Sequence, residues 1–196
     1  VNLWLRLLLL RVLGRYRPRL DLLDECVTPF RVLPGDLDLL RHMNNGRYLT
    51  ILDIARLDLF ARSGMDHVLA RNGWYPVVTA ETIAFHRALT LGRPFSVTTR
   101  TLGWDDRSVV LEHVFRTGRD GSGPIAAEAV IRALLLRRGG GRVPVTELLE
   151  AAGHPGGLDR PLEGWVADWY RAQNALWATR RAQSQFPSTV PSGEDV

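Results

Sequence analysis

Asp36, Asp38, His42, Asn44 and Asn45 fall within ten residues, in the run Asp36-Leu37-Asp38-Leu39-Leu40-Arg41-His42-Met43-Asn44-Asn45-Gly46-Arg47-Tyr48. The run stands directly before a strongly apolar helical pattern. Polar groups this dense at a helix start can do chemistry, because the first backbone N–H groups of a helix have no partner within it and can polarise a carbonyl or hold an anion. A carboxylate about seven residues upstream could then face that carbonyl as nucleophile or general base. A plainer reading uses the same residues: Asp36-Leu37-Asp38 as a solvated turn and Asn44-Asn45-Gly46 as a helix cap.

The remaining residue types narrow the chemistry. Cys26 is the only cysteine, so an intramolecular disulfide is excluded, and its neighbours give no sign of an activated thiol. His42, His67, His86, His113 and His154 show no paired metal-ligand spacing, so no metal site and no cofactor is expected. All 25 basic residues are arginine, and the formal charge is +4. They are scattered rather than gathered on one face, which argues against a nucleic-acid partner.

Elements to position the run can be read on either side of it. Val27 to Leu33 reads as a strand closed by Pro34-Gly35. From Arg47, apolar residues recur at three- and four-residue steps (Leu49, Leu52, Phe60 among them), predicting a buried amphipathic helix that ends at Ser63-Gly64. A short helix from Met65 to Arg71 follows. Trp74 to Leu89, Phe95 to Leu102, Ser108 to Thr117 and Ile125 to Arg137 read as consecutive antiparallel strands joined by turns. Val143 to Ala152 reads as a short helix. Leu162 to Arg181 reads as an amphipathic helix docked on the body.

The expected organisation is an N-terminal helical arm (1–26), a main domain (27–150), a linker with the C-terminal helix (151–182) and a disordered tail (183–196). The apolar stretch of the arm, Leu3 to Val12 and Leu13, is about half a bilayer core long as a helix and is interrupted by Arg6 and Arg11. A transmembrane span is therefore not expected. The arm either docks on the protein or lies on a membrane surface with its arginines at the headgroups.

A strand, a long helix and four further strands make an α+β architecture in which a curved antiparallel sheet of about five strands wraps a central helix. In that order, and in the run from Phe30 through Asp36-Leu37-Asp38 to His42-Met43-Asn44-Asn45-Gly46-Arg47-Tyr48, the chain resembles hot-dog fold thioesterases of the 4-hydroxybenzoyl-CoA thioesterase-like branch. Thr82 to Leu89 and Arg100 to Asp106 resemble the same family. The closest likeness is to the thioesterase-superfamily-member-six-like group, over about residues 20–137.

The resemblance implies a homodimer or homotetramer, sites between subunits, and hydrolysis of an acyl-CoA or related acyl thioester in lipid metabolism. It places the catalytic carboxylate on Asp38 and the carbonyl-polarising backbone N–H on Asn45, with His42, Asn44, Gly46 and Tyr48 lining the same site. Several relatives carry His at the Asn45 position, so the role that carries over is the backbone's. Asp36 is expected to anchor the loop. Arg87 and Arg93 are candidates for the phosphates of CoA, and His86 and Glu81 for structural or interface roles. A cytoplasmic location follows, with the arm in weak contact with a membrane surface as the peripheral variant. Two other readings remain: a protein that binds acyl thioesters without turnover, as sensor or scaffold, and an acyl-thioester hydratase.

Overall fold

The computed structural model describes residues 4, 6–8, 10, 12, 17–154 and 158–184. The expected tail lies outside the described residues from 185 onward, as does much of the arm. The chain divides into two compact units, Val1–Pro161 and Leu162–Val196. In the second, a single helix runs over Gly164–Ser184.

The first unit is built on one antiparallel sheet. Strands β1 (Cys26–Arg31), β2 (Trp74–Phe85), β3 (Pro94–Trp104), β4 (Ser108–Thr117) and β5 (Ile125–Arg137) lie in the order β1-β3-β4-β5-β2, and the two-residue β6 (Arg142–Val143) pairs with β5. Helix α1 (Asn45–Ser63) follows β1, and α2 (Met65–Asn72) connects it to β2. The split between α1 and α2 is made by Gly64, at φ +75°, a left-handed conformation that costs a residue with a Cβ about 1 kcal/mol or more. A further short helix, α3, spans Val145–Ala151.

Alternation along the strands sends one face of the sheet to α1. The row Cys26–Thr99–His113–Ala129–Ile83 crosses all five long strands in register. Most of it joins the core with Tyr48, Ile51, Leu52, Ala55 and Leu59 of α1, all 3% exposed or less. Burying the helix on several sides explains why its apolar residues are not confined to one stripe. Under its first turn runs a chain of rings: Phe30 on Phe95 at 5.4 Å, Phe95 on Phe115 at 6.1 Å, then Tyr48 at 4.9 Å from both Phe115 and Phe85. Each such pair contributes about 1 kcal/mol beyond its buried area, so the start of α1 sits on a stiff base.

Several boundaries differ from the sequence reading. β2 stops at Phe85 rather than Leu89, because His86 and Arg87 both turn their N–H groups to the Ala126 carbonyl. The helix expected from Val143 begins at Val145, since Val143 is taken into the sheet opposite Leu135. β3 continues through Gly103 and Trp104 by way of a register shift after Thr101.

Of the arm expected to be helical over 1–26, residues 4, 6–8, 10 and 12 are helical, whereas 17–25 run through bends and turns, where Pro18 supplies no backbone N–H for a helix, and Cys26 already belongs to β1. Leu7 and Leu10 pack against the core, while Trp4, Leu8 and Val12, at four-residue steps, are 76%, 60% and 53% exposed. Among the described residues no helix is long and apolar enough to cross a membrane.

Candidate active site

The link from β1 to α1 is a small hairpin. The Asn44 N–H donates to the Asp36 carbonyl at 2.8 Å, Leu37 and Met43 form an antiparallel bridge, and the Asp38 N–H donates to the His42 carbonyl at 2.9 Å. Three rungs thus set 36 against 44, 37 against 43 and 38 against 42. A chain that must reverse in so few residues needs a left-handed position, and Arg41 takes it at φ +62°. For a residue with a long side chain that conformation costs on the order of 1 kcal/mol or more, and it occurs in this chain only here outside glycine among the described residues.

At the top of the hairpin, Asp38 Oδ1 accepts the N–H groups of Leu40 (2.9 Å) and His42 (3.2 Å). The half-buried carboxylate therefore holds the turn by one oxygen, and Oδ2 accepts nothing from the described residues. At the base, Asn44 is the N-cap of α1 and its side chain accepts the Gly46 N–H at 2.9 Å. Asn45 is the first helical residue. Its N–H donates to no described residue and belongs to an exposed helix end, where the peptide dipoles leave a positive partial charge.

The structure brings Asp38, His42, Asn44, Asn45 and Gly46 together on this hairpin and helix start. Arg87 and Arg93 bracket a segment whose backbone pairs with it. The Met43 N–H donates to the Leu89 carbonyl at 2.8 Å, and His42 bridges to Thr90. Tyr48 is set apart from this group: it is 3% exposed, its ring is in the aromatic chain beneath the helix, and burial raises its phenol against a hydrogen bond to the Leu89 backbone that lowers it. His86 pairs with Glu128 at 3.0 Å on the surface.

Asp36 holds the root of the loop. It is 1% exposed, its Oδ2 accepts the Leu33 N–H at 2.8 Å, and it is paired with the Arg6 guanidinium. The sequence signals the acid but not its cation, which stands 30 positions away. Further polar groups escaped the sequence reading because they act within the core. Asp58 accepts Thr28 Oγ1 at 2.6 Å and pairs with Arg17. Cys26, fully buried beside it, has its thiol pushed up from 9.0 to about 11 by burial first and by the Asp58 charge second. His113 is held neutral by burial and by the Arg56 charge.

An apolar cavity lined by Leu59, Phe60, Met65, Leu69, Leu111 and Leu135 opens at the other end of α1. Leu59 lies 14 residues beyond Asn45, about 21 Å along the axis, and no carboxylate or imidazole lines the cavity. The hairpin and helix start, not this cavity, have the groups that could react.

The model of a family described as the Thioesterase-like superfamily matches residues 32–153, which contain the hairpin, α1 and all the strands after β1. Protein THEM6 of Xenopus laevis is 42% identical over 100 residues, 51% of this chain and 48% of that protein. The chain thus spans about half the length of this curated relative. Among solved structures, YbaW, a probable thioesterase of Escherichia coli, superposes with a TM-score of 0.59 at 24% identity, covering 66% of this chain and 97% of its own. A 1,4-dihydroxy-2-naphthoyl-CoA thioesterase from Synechocystis superposes at 0.56 with 11% identity, covering 66% and 95%. These likenesses show the hot-dog fold that the strand order leads one to expect.

Proposed function

The chain belongs to the Thioesterase-like superfamily, and from that membership we propose that it hydrolyses an acyl-CoA or related acyl thioester to a free acid and a thiol. One observation supports this most directly: an undonated N–H at the exposed start of α1, with a carboxylate oxygen of Asp38 available two rungs up the same hairpin. The thioester carbonyl oxygen accepts the Asn45 N–H, whose effect the helix dipole adds to as negative charge develops. Asp38 Oδ2 either attacks the carbonyl carbon or takes a proton from a water that does so. When Asp38 attacks, the C–S bond breaks to leave an acyl anhydride on Asp38, which a water then hydrolyses to the free acid and the carboxylate, with the proton of that water going to the thiolate. When Asp38 activates a water, the C–S bond breaks as the acid forms and the proton held on Asp38 passes to the thiolate. His42, Asn44 and Gly46 shape the site around the carbonyl, with Tyr48 supporting the helix from below. Arg87 and Arg93 flank the segment paired with the loop and are suited to the phosphates of CoA.

Asn45 allows a sharp test. Proline is suited to the first position of a helix, and Asn44 already has the extended conformation (φ −60°, ψ 138°) that a following proline requires. Asn45→Pro therefore deletes the N–H while keeping the helix. In thiol-release assays over short, long and aromatic acyl-CoAs, both Asn45→Pro and Asp38→Asn are expected to lose roughly a hundredfold in kcat with folding retained. Turnover unchanged in either variant sinks that residue's role.

The double engagement of Asp38 Oδ1 by the turn favours a second reading, a protein that binds acyl thioesters without turning them over. Saturable acyl-CoA binding with no thiol release from any thioester would select it. We further propose that two copies pair through the open edge of β2, and that the exposed face of the arm touches a membrane surface from the cytoplasmic side.

A further inference from the structure

We propose that Arg6 is a positioning residue for the reaction, bracing the catalytic hairpin from a segment that lies ahead of the family-matched region; this rests on the thioesterase reading above. The guanidinium of Arg6 makes two contacts. Its Nη2 donates to Asp36 Oδ2 and to the Arg31 carbonyl, the latter at 3.0 Å. Asp36 in turn joins both strands of the hairpin, because the same Oδ2 accepts the Leu33 N–H and its carbonyl accepts the Asn44 N–H. One cation therefore ties the end of β1 to the root of the loop, and through it to the N-cap of α1.

The pair is placed to be strong. The side chains of Arg6 and Asp36 are 10% and 1% exposed, so solvent screens their attraction little. Leu7 and Leu10 fix the arm helix on the core beside it. A second tie of the same kind, Arg17 to the buried Asp58, holds the segment where the arm continues toward β1. The rungs 36/44, 37/43 and 38/42 then carry the placement outward to both reacting groups. The Asn45 N–H follows from the 36/44 rung, and the Asp38 carboxylate from the 38/42 rung. Displacements of about 1 Å at such groups cost up to a hundredfold in rate. Family matching begins at residue 32, so the cation of this brace lies ahead of the matched region and its acid within it.

The test uses the full chain and four single variants: Arg6→Gln, Arg6→Lys, Asp36→Asn and, on the outer face of the same helix, Trp4→Ser. Thiol-release kinetics, thermal unfolding and amide hydrogen exchange at Leu33 and Asn44 are read together. Arg6→Gln is expected to lower kcat about tenfold with KM within twofold, and to speed exchange at both amides. Arg6→Lys should recover part of the rate, Asp36→Asn should match Arg6→Gln, and a fifth protein carrying both Arg6→Gln and Asp36→Asn should lose no more than either single variant. Trp4→Ser should behave as wild type. Wild-type kcat and exchange in Arg6→Gln overturn the proposal, as does a loss no larger than its unfolded fraction accounts for. Where Arg6→Gln does not fold, the contrast of Arg6→Lys with Trp4→Ser decides by the same criteria. A wild type that cleaves no thioester refutes the hydrolase reading alone, and amide exchange in Arg6→Gln still decides the brace.

Discussion

The carboxylate of Asp38 has two oxygens in different surroundings, one accepting two turn N–H groups and one accepting none from the described residues. Such a division fixes the side chain's rotamer and leaves one oxygen open, the arrangement that the role proposed for Asp38 needs. A second residue shows what burial does to a titratable group. Cys26 retains its proton in the folded state up to about pH 11, whereas an exposed thiol loses it near 9.0. Between those two values the unfolded chain binds fewer protons than the folded one, so stability falls as pH rises, and it is fully present below pH 9. The midpoint of chemical unfolding is expected to drop from pH 9 to 11, by on the order of 2 kcal/mol in the free energy. Cys26→Ala should flatten that slope; an equal slope in both proteins would assign the pH dependence to other groups.

Elements explain which of these features a reader of the sequence could reach. The strands and α1 were legible because periodicity reports which face is buried, and the hairpin motif because Asn44, Asn45 and Gly46 are residues that begin helices. The family resemblance sets Tyr48 among the residues lining the site, yet a position on a helix buried on several sides does not announce whether it points to solvent or core, and the residue is 3% exposed. The ends of β2 and α3 depended on partners, Ala126 and Leu135, that only the folded sheet supplies. Arg6 and Asp36 are 30 positions apart and no local pattern links them. The arm helix gives a prediction at this scale. Its outer stripe of Trp4, Leu8 and Val12 is apolar, and residues 1–19 contain five arginines and no acid, a combination that favours anionic lipid surfaces. Sedimentation with anionic vesicles is expected for the full chain and should weaken severalfold in the Trp4→Ser/Leu8→Ser variant. Equal recovery of both proteins would dismiss membrane contact through this face.

For the whole molecule the open side of the sheet matters most. β2 is a terminal strand 12 residues long, and Tyr75, Val78 and Phe85 on it are 41%, 36% and 43% exposed. An edge of that length with so little charge is a template for pairing with another chain. Light scattering after size exclusion is expected to give at least twice the 22.0 kDa chain mass, and Val78→Lys should shift the protein toward the monomer. A monomeric wild type would remove the proposed pairing. Cys26 has a last consequence, for measurement itself. It is the only sulfhydryl in the chain, and with its proton held to about pH 11 only about one molecule in a thousand presents a thiolate at pH 8. A colorimetric disulfide reagent added to a folded sample therefore counts product thiol with almost no background from the protein. The same reagent, given no substrate, becomes a clock: its slow colour records how often β1 lifts away from the helix beneath it.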